Sequence, residues 1–174
     1  MRSAESCSRC EEPAYMTCSS AHRLALSAWG RPRTTLDIDF MILAGDVPDS
    51  LVTAFAALGF ERDVRWERHN PPLQGRHTRF RSGHVVLDIL FATDPHHASA
   101  FRRRRKKLHR GMYIWFPSPE DLVMPKLRAG RHGDLEDVVG IFERVGNKLD
   151  PRYLGRWARR LRLTDELNYL IDRG

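Results

Sequence analysis

Asp37 and Asp39 lie one residue apart inside an otherwise apolar run, Leu36-Asp37-Ile38-Asp39-Phe40-Met41-Ile42-Leu43. The run is rich in large and β-branched residues, which predicts a strand. Side chains alternate along a strand, so the two carboxylates share one face, while Leu36, Ile38 and Phe40 take the other, toward a core. Two carboxylates so placed repel, and at neutral pH one is driven toward protonation unless a cation joins them. A hard divalent ion with oxygen ligands, most simply Mg²⁺, meets that need. The segment just upstream, Gly30-Arg31-Pro32-Arg33-Thr34-Thr35, reads as a tight, basic turn. A basic turn opening onto paired carboxylates suits a phosphate substrate held through a metal.

The chain has 174 residues, enough for one domain with a sizeable core. No apolar run approaches the roughly 18 residues of a membrane span, so no membrane partner is expected. Residues 1–13 are polar and read as a flexible tail without a signal-peptide core, which makes a cytoplasmic location the expectation. The net charge of +7 favours polyanionic partners such as nucleotides or nucleic acid. Cys7, Cys10 and Cys18 are an odd set, against a complete disulfide framework. With His22 they can be written as a zinc site, but the shortage of apolar residues and of a second knuckle favours a reduced tail.

Residues 14–117 read as a sheet core and 118–174 as a helical part packed on it. Helices are expected over residues 20–29 and after Asp49 or Ser50 as far as Gly59, followed by a short strand over Phe60–Val64. Residues 65–83 are rich in Arg, His, Asn, Pro and Gly and read as a loop with a strand near His77–Phe80. His84–Ala92 is the clearest strand, Pro95 opens a helix, and Met112–Phe116 is another strand. Ser118-Pro119 and Asp150-Pro151 are cap-then-proline signals, Gly133-Asp134 opens a helix and Thr164 caps the last one. The class expected is α+β.

Asp88 interrupts the clearest strand between Val86 and Leu90. An ionised acid half-buried there needs a partner, either an arginine or a metal. Read with Asp37 and Asp39, it completes a three-carboxylate set on neighbouring strands. Such a set can hold two divalent ions for in-line phosphoryl or nucleotidyl transfer, with Asp88 on the nucleophile's side and able to take its proton.

The pattern Gly30-x-Pro32-Arg33-x-Thr35-x-Asp37-x-Asp39, followed by a strand Asp88, resembles the nucleotidyltransferase superfamily related to DNA polymerase β. Within it the chain is most similar to the bacterial group that includes the AbiEii-type toxins. Ser118-Pro119-Glu120-Asp121-Leu122-Val123-x-x-Lys126-Leu127 and Asp134-x-x-Asp137-Val138-x-x-Ile141 also resemble that group. The resemblance implies a nucleotidyltransferase-like mixed β-sheet flanked by helices, with a helical C-terminal part. It implies transfer of a nucleoside monophosphate from a nucleoside triphosphate to an RNA or protein hydroxyl, with Mg²⁺ or Mn²⁺ as cofactor. An antitoxin protein would be a partner if the chain is the toxin of a toxin–antitoxin pair. Asp37, Asp39 and Asp88 would be the catalytic metal ligands. Arg33, Thr35 and Lys126 would contact the nucleotide, although Arg33 can instead pair with Asp39, and Lys126 can be a solvated helix face. Asp134 and Asp137 read as a cap and a structural acid.

The superfamily's upstream Gly-Ser or Gly-Gly would fall at His22-Arg23, and no glycine precedes Gly30. A catalytically degenerate protein of the same fold that binds nucleotide or nucleic acid without turnover is therefore the alternative. Arg102, Arg103, Arg104, Arg105, Lys106 and Lys107 read as the basic end of a helix, either a nucleic-acid backbone contact or a solvated run. Trp157 reads as core, and Trp66 as loop-borne, stacking on a base or packing at the sheet edge.

Overall fold

The computed structural model describes residues 16–17, 29, 37–43, 45–109 and 111–171. In chain order the elements are β1 (Met16–Thr17), β2 (Asp37–Ile42), α1 (Asp49–Ala57), β3 (Glu61–Arg62), α2 (Val64–His69), β4 (His77–Ser82), β5 (Val85–Phe91), α3 (Pro95–Arg103), β6 (Arg105–His109) and β7 (Met112–Phe116). Four helices follow: α4 (Pro119–Ala129), α5 (His132–Val145), α6 (Pro151–Leu161) and α7 (Thr164–Ile171). The class is α+β, with a mixed sheet in the order β1-β2-β5-β4-β3 and a separate β6–β7 hairpin.

Among the described strands only β2 and β5 pair in parallel; the other pairings are antiparallel. Parallel neighbours require a crossover, supplied here by α1, β3, α2 and β4. One face of the sheet is apolar: Ile42, Phe80, Leu87, Ile89 and Phe91 are buried against Leu51 and Phe55 of α1, with Phe40 packed on them. Phe55 meets Phe80 edge-on at 5.1 Å. Each such fully buried side chain contributes about 1.5–3 kcal/mol. The second cluster lies among the four C-terminal helices, where Val123, Met124, Val138, Ile141 and Ala158 have no exposure. Trp29 and Phe116 join this cluster, and the Trp29 indole donates to the carbonyl of Pro117 at 3.0 Å. Trp157 is core, as its spacing predicts.

Several boundaries differ from expectation for local reasons. Residues 65–83 do not form one loop. The Asp63 carboxylate accepts from the Trp66 N–H at 2.9 Å, caps α2 and cuts the preceding strand to two residues. This helix lacks an apolar stripe, so periodicity does not betray it. The basic run is not all helical either: α3 stops at Arg103, and Arg105–Lys107 belong to β6, paired with β7. Neither Asp49 nor Ser50 is the first helix's cap, because Pro48 holds that position and makes no side-chain bond. The caps at Ser118 and Asp150 form as read. The expected helix over 20–29, apart from Trp29, and the basic turn at 30–35 lie outside the described residues, as do Cys7, Cys10, Cys18 and His22. No helix among the described residues is long and apolar enough to cross a membrane.

Candidate functional site

The sheet face opposite the apolar core carries the charges, and register sets their order. Asp39 lies beside Asp88 across β2 and β5, and Arg79 lies beside Asp88 across β4 and β5. Neighbours in register share a face, so Asp39, Asp88 and Arg79 form one row across three adjacent strands. The next row, toward the C-terminal ends of β2 and β5, is Met41, Leu90 and His77.

Asp88 is buried and takes both its partners from β4. Arg79 donates to it twice, Nε to Oδ1 and Nη2 to Oδ2, each at 2.7 Å. This is the bidentate fork that suits a carboxylate best. His77 Nε2 is 2.9 Å from the same Oδ1. Burial pushes the Asp88 carboxyl up, but the hydrogen bonds and charges of His77 and Arg79 outweigh it and hold the group below the ordinary carboxylate value. Trp66 of α2 buttresses both partners, its ring 4.7 Å from the His77 ring and 4.2 Å from the Arg79 guanidinium. Trp66 therefore packs at the sheet edge, on a helix. Asp39 is half-buried and is also engaged. The backbone of Asp37 pairs beside Val86, one row back.

Beyond His77 the charged face runs into a cavity of about 470 Å³. Met41, Leu90, Phe91, Phe101 and Leu122 give it an apolar floor, and Arg76, Arg104 and Arg128 bring positive charge. Asp94 caps α3 by accepting from the His97 N–H at 2.8 Å and lies 3.6 Å from Arg128 Nη1. Burial holds the His97 imidazole below its ordinary value, although Asp94 opposes the shift.

At the far wall a buried polar knot centres on Asp121. Ser118 Oγ donates to its Oδ2 at 2.6 Å, the Tyr153 hydroxyl donates to Oδ1, and His96 Nε2 is 3.3 Å away. Arg103 bridges Glu120 Oε2 at 3.1 Å and Asp121 Oδ2 at 3.5 Å, lying over the Tyr153 ring. Glu120 Oε1 accepts from the Asp150 N–H at 3.0 Å, tying α4 to the start of α6. Burial and the bond to Asp121 raise the Tyr153 phenol well above its ordinary value. Folding therefore favours the neutral phenol. That contribution is present below the ordinary pKa near 10 and is lost as the pH rises through the folded value. In an ultraviolet titration, Tyr153→Phe is expected to leave the absorbance rise near pH 10 unchanged and to remove only a later component. Loss of a component near pH 10 would contradict this network.

The site residues read from sequence are not all brought together. Asp39 and Asp88 adjoin. The Asp37 carboxylate, Arg33 and Thr35 lie outside the described part. Lys126 is neither on a solvated face nor open to the cavity: it is 1% exposed, with Nζ 2.7 Å from Asp137 Oδ2 and 3.3 Å from Asp134 Oδ1. Those two acids are structural partners that join α5 to α4. Of the basic run, Arg102, Arg105 and Lys106 are exposed, whereas Arg103 belongs to the Asp121 knot and Arg104 lies over Phe101 and Trp115.

Asp39 and Asp88 are hard oxygen donors of the type Mg²⁺ takes. Among the described residues no group of three or more acids, histidines or cysteines is placed to hold a metal ion, and Asp88 would have to exchange Arg79 and His77 for one. Sequence reasoning missed Arg79, His77 and the Asp121 knot. The first two were within reach, because Ser82 pairs with Val85 across Gly83-His84, with Gly83 at φ 55°. Gly-x is the signal of a two-residue hairpin, and counting three residues out on each strand puts Arg79 opposite Asp88. No protein-family model matches the chain, and no characterised protein matches it in sequence.

Proposed function

We propose that this chain is a nucleotidyltransferase-like protein of the superfamily related to DNA polymerase β, transferring a nucleoside monophosphate from a nucleoside triphosphate to a hydroxyl of an RNA or protein acceptor. One observation carries the reading: Asp39 and Asp88 stand abreast on parallel strands, on the sheet face that leads into the cationic cavity. Ligands of open sheets commonly bind outside the carboxyl ends of parallel strands, and Met41 and Leu90 of the cavity floor lie at those ends. In this reading Asp39 and Asp88, with Asp37, hold Mg²⁺ or Mn²⁺. The cation, when bound, makes the attacking hydroxyl more acidic and neutralises charge on the departing pyrophosphate. Arg76, Arg104 and Arg128 attract the polyphosphate, and the apolar floor receives the base. Asp88, once released from Arg79 and His77, would orient the acceptor hydroxyl and could take its proton.

The pairing of both Asp88 oxygens with Arg79 and His77 favours a second reading, in which the fold binds nucleotide or nucleic acid without turnover. Calorimetry with each triphosphate, with and without Mg²⁺, separates the two. The enzyme requires triphosphate binding that depends on the metal. Binding of RNA that weakens with salt, together with no affinity for any triphosphate, would leave only the second reading.

A further inference from the structure

The charges of this chain are segregated. Between Pro95 and Phe116 there are seven Lys and Arg and no acid, and between Pro151 and Leu163 five arginines and no acid. The remainder holds 17 Lys and Arg against all 22 Asp and Glu, so outside these two segments the protein is net acidic. The structure brings the two segments together. Arg103, at the end of α3, lies over the Tyr153 ring of α6 at 3.9 Å, and Arg156 lies over the same ring at 5.5 Å. Arg160 lies 5.3 Å from the Trp157 ring.

Helix α6 is divided cleanly. Tyr153, Leu154, Trp157 and Ala158 are buried in the helical core, and Arg152, Arg156, Arg159 and Arg160 are exposed. None of these four arginines, nor Arg102, forms an ion pair among the described residues. Residues four apart on a helix rise by about 6 Å, so Arg152, Arg156 and Arg160 form a line of guanidinium groups. Arginines so aligned repel one another, and a polyanion relieves that repulsion. The β6–β7 hairpin follows α3 directly and carries Lys106, whose ammonium lies 5.5 Å from the exposed Tyr113 ring. A cation beside an open ring is a stacking platform for an unpaired base.

We infer that the exposed arginine face of α6, continued through Arg102 and the β6–β7 hairpin, is a docking surface for single-stranded RNA. Phosphates would lie along Arg152, Arg156 and Arg160, with a base over Tyr113. RNA loops and ends present such unstacked bases. An anionic membrane fits less well, because the apolar side of α6 is used in the core and has nothing to insert into lipid. Duplex DNA fits less well because stacked bases leave Tyr113 without a role. The surface does not depend on nucleotidyl transfer, and its test uses neither Mg²⁺ nor triphosphate.

The test is fluorescence anisotropy of the full chain with a labelled single-stranded RNA of about 20 nucleotides, at salt concentrations from about 50 to 400 mM. Arg152→Glu, Arg156→Glu and Arg160→Glu together are compared with Arg65→Glu, Arg68→Glu and Lys148→Glu together, which change net charge equally at exposed positions elsewhere. The α6 triple is expected to weaken binding by more than about 30-fold and to lower the slope of log Kd against log salt by about 2. The control triple should change affinity by less than about threefold. Equal losses in the two triples, no RNA binding by the native chain at low salt, or tighter binding to duplex DNA or phosphatidylserine vesicles would each overturn the inference. If the reversed α6 triple does not fold, the same three positions changed to Gln must lower the slope equally, and an unchanged slope would refute it.

Discussion

Asp39→Ala is expected to lower incorporation from an α-labelled nucleoside triphosphate by about 10³-fold or more, while circular dichroism and the melting transition stay near those of the native chain. The expectation follows from position. Asp39 stands in register beside Asp88 on the parallel neighbour strand, so removing it halves the described carboxylate pair. Metal-supported charge stabilisation is worth several kcal/mol in the transition state, and about 1.4 kcal/mol corresponds to a factor of ten in rate. Stability has no comparable stake, because Asp39 is only half-buried and lies on the face away from Phe80, Leu87 and Ile89. Asp39→Asn keeps the shape and removes the charge, and should lose nearly as much activity. Full transfer by either variant would remove the carboxylates from the chemistry and leave the binding reading.

How much of this was legible in the sequence depended on whether a signal was local. The placement of Asp39 on one face of β2, and of Phe40 and Ile42 on the other, follows from alternation alone. So do the cap-then-proline starts of α4 and α6, because a Ser or Asp side chain and the missing N–H of proline act within one turn. Helix α2 was not legible: Val64–His69 has a single large aromatic, Trp66, and its cap at Asp63 sits after a strand-like pair. That miss hid the support for His77 and Arg79. The partner of Asp88 required strand register, a long-range property that only the Gly83-His84 turn encodes. Lys126 defeated local reasoning for another reason. In helix periodicity it is a polar residue between apolar ones, but its surroundings come from α5, eight and eleven residues further on.

The same logic makes Lys126→Met the substitution with the largest expected effect on stability, about 3–5 kcal/mol in urea denaturation. The ammonium is 1% exposed and holds two carboxylates, Asp137 at 2.7 Å and Asp134 at 3.3 Å. Methionine fills most of the volume, so packing changes little. The two acids, however, lose the ammonium that ties α4 to α5, and breaking a buried pair from one side costs more than the pair contributes. For a chain of this size the melting temperature should fall by about 10 °C. Asp137→Leu added to Lys126→Met should recover much of the loss, since replacing a buried pair with apolar groups is often neutral, and a double-mutant cycle would read the coupling directly. If Lys126 instead serves a nucleotide phosphate, Lys126→Met would leave the melting temperature unchanged and raise KM for the triphosphate. A stable protein with that kinetic defect would show that the Asp134 and Asp137 contacts give way to substrate, and that the buried pair is not what joins α4 to α5.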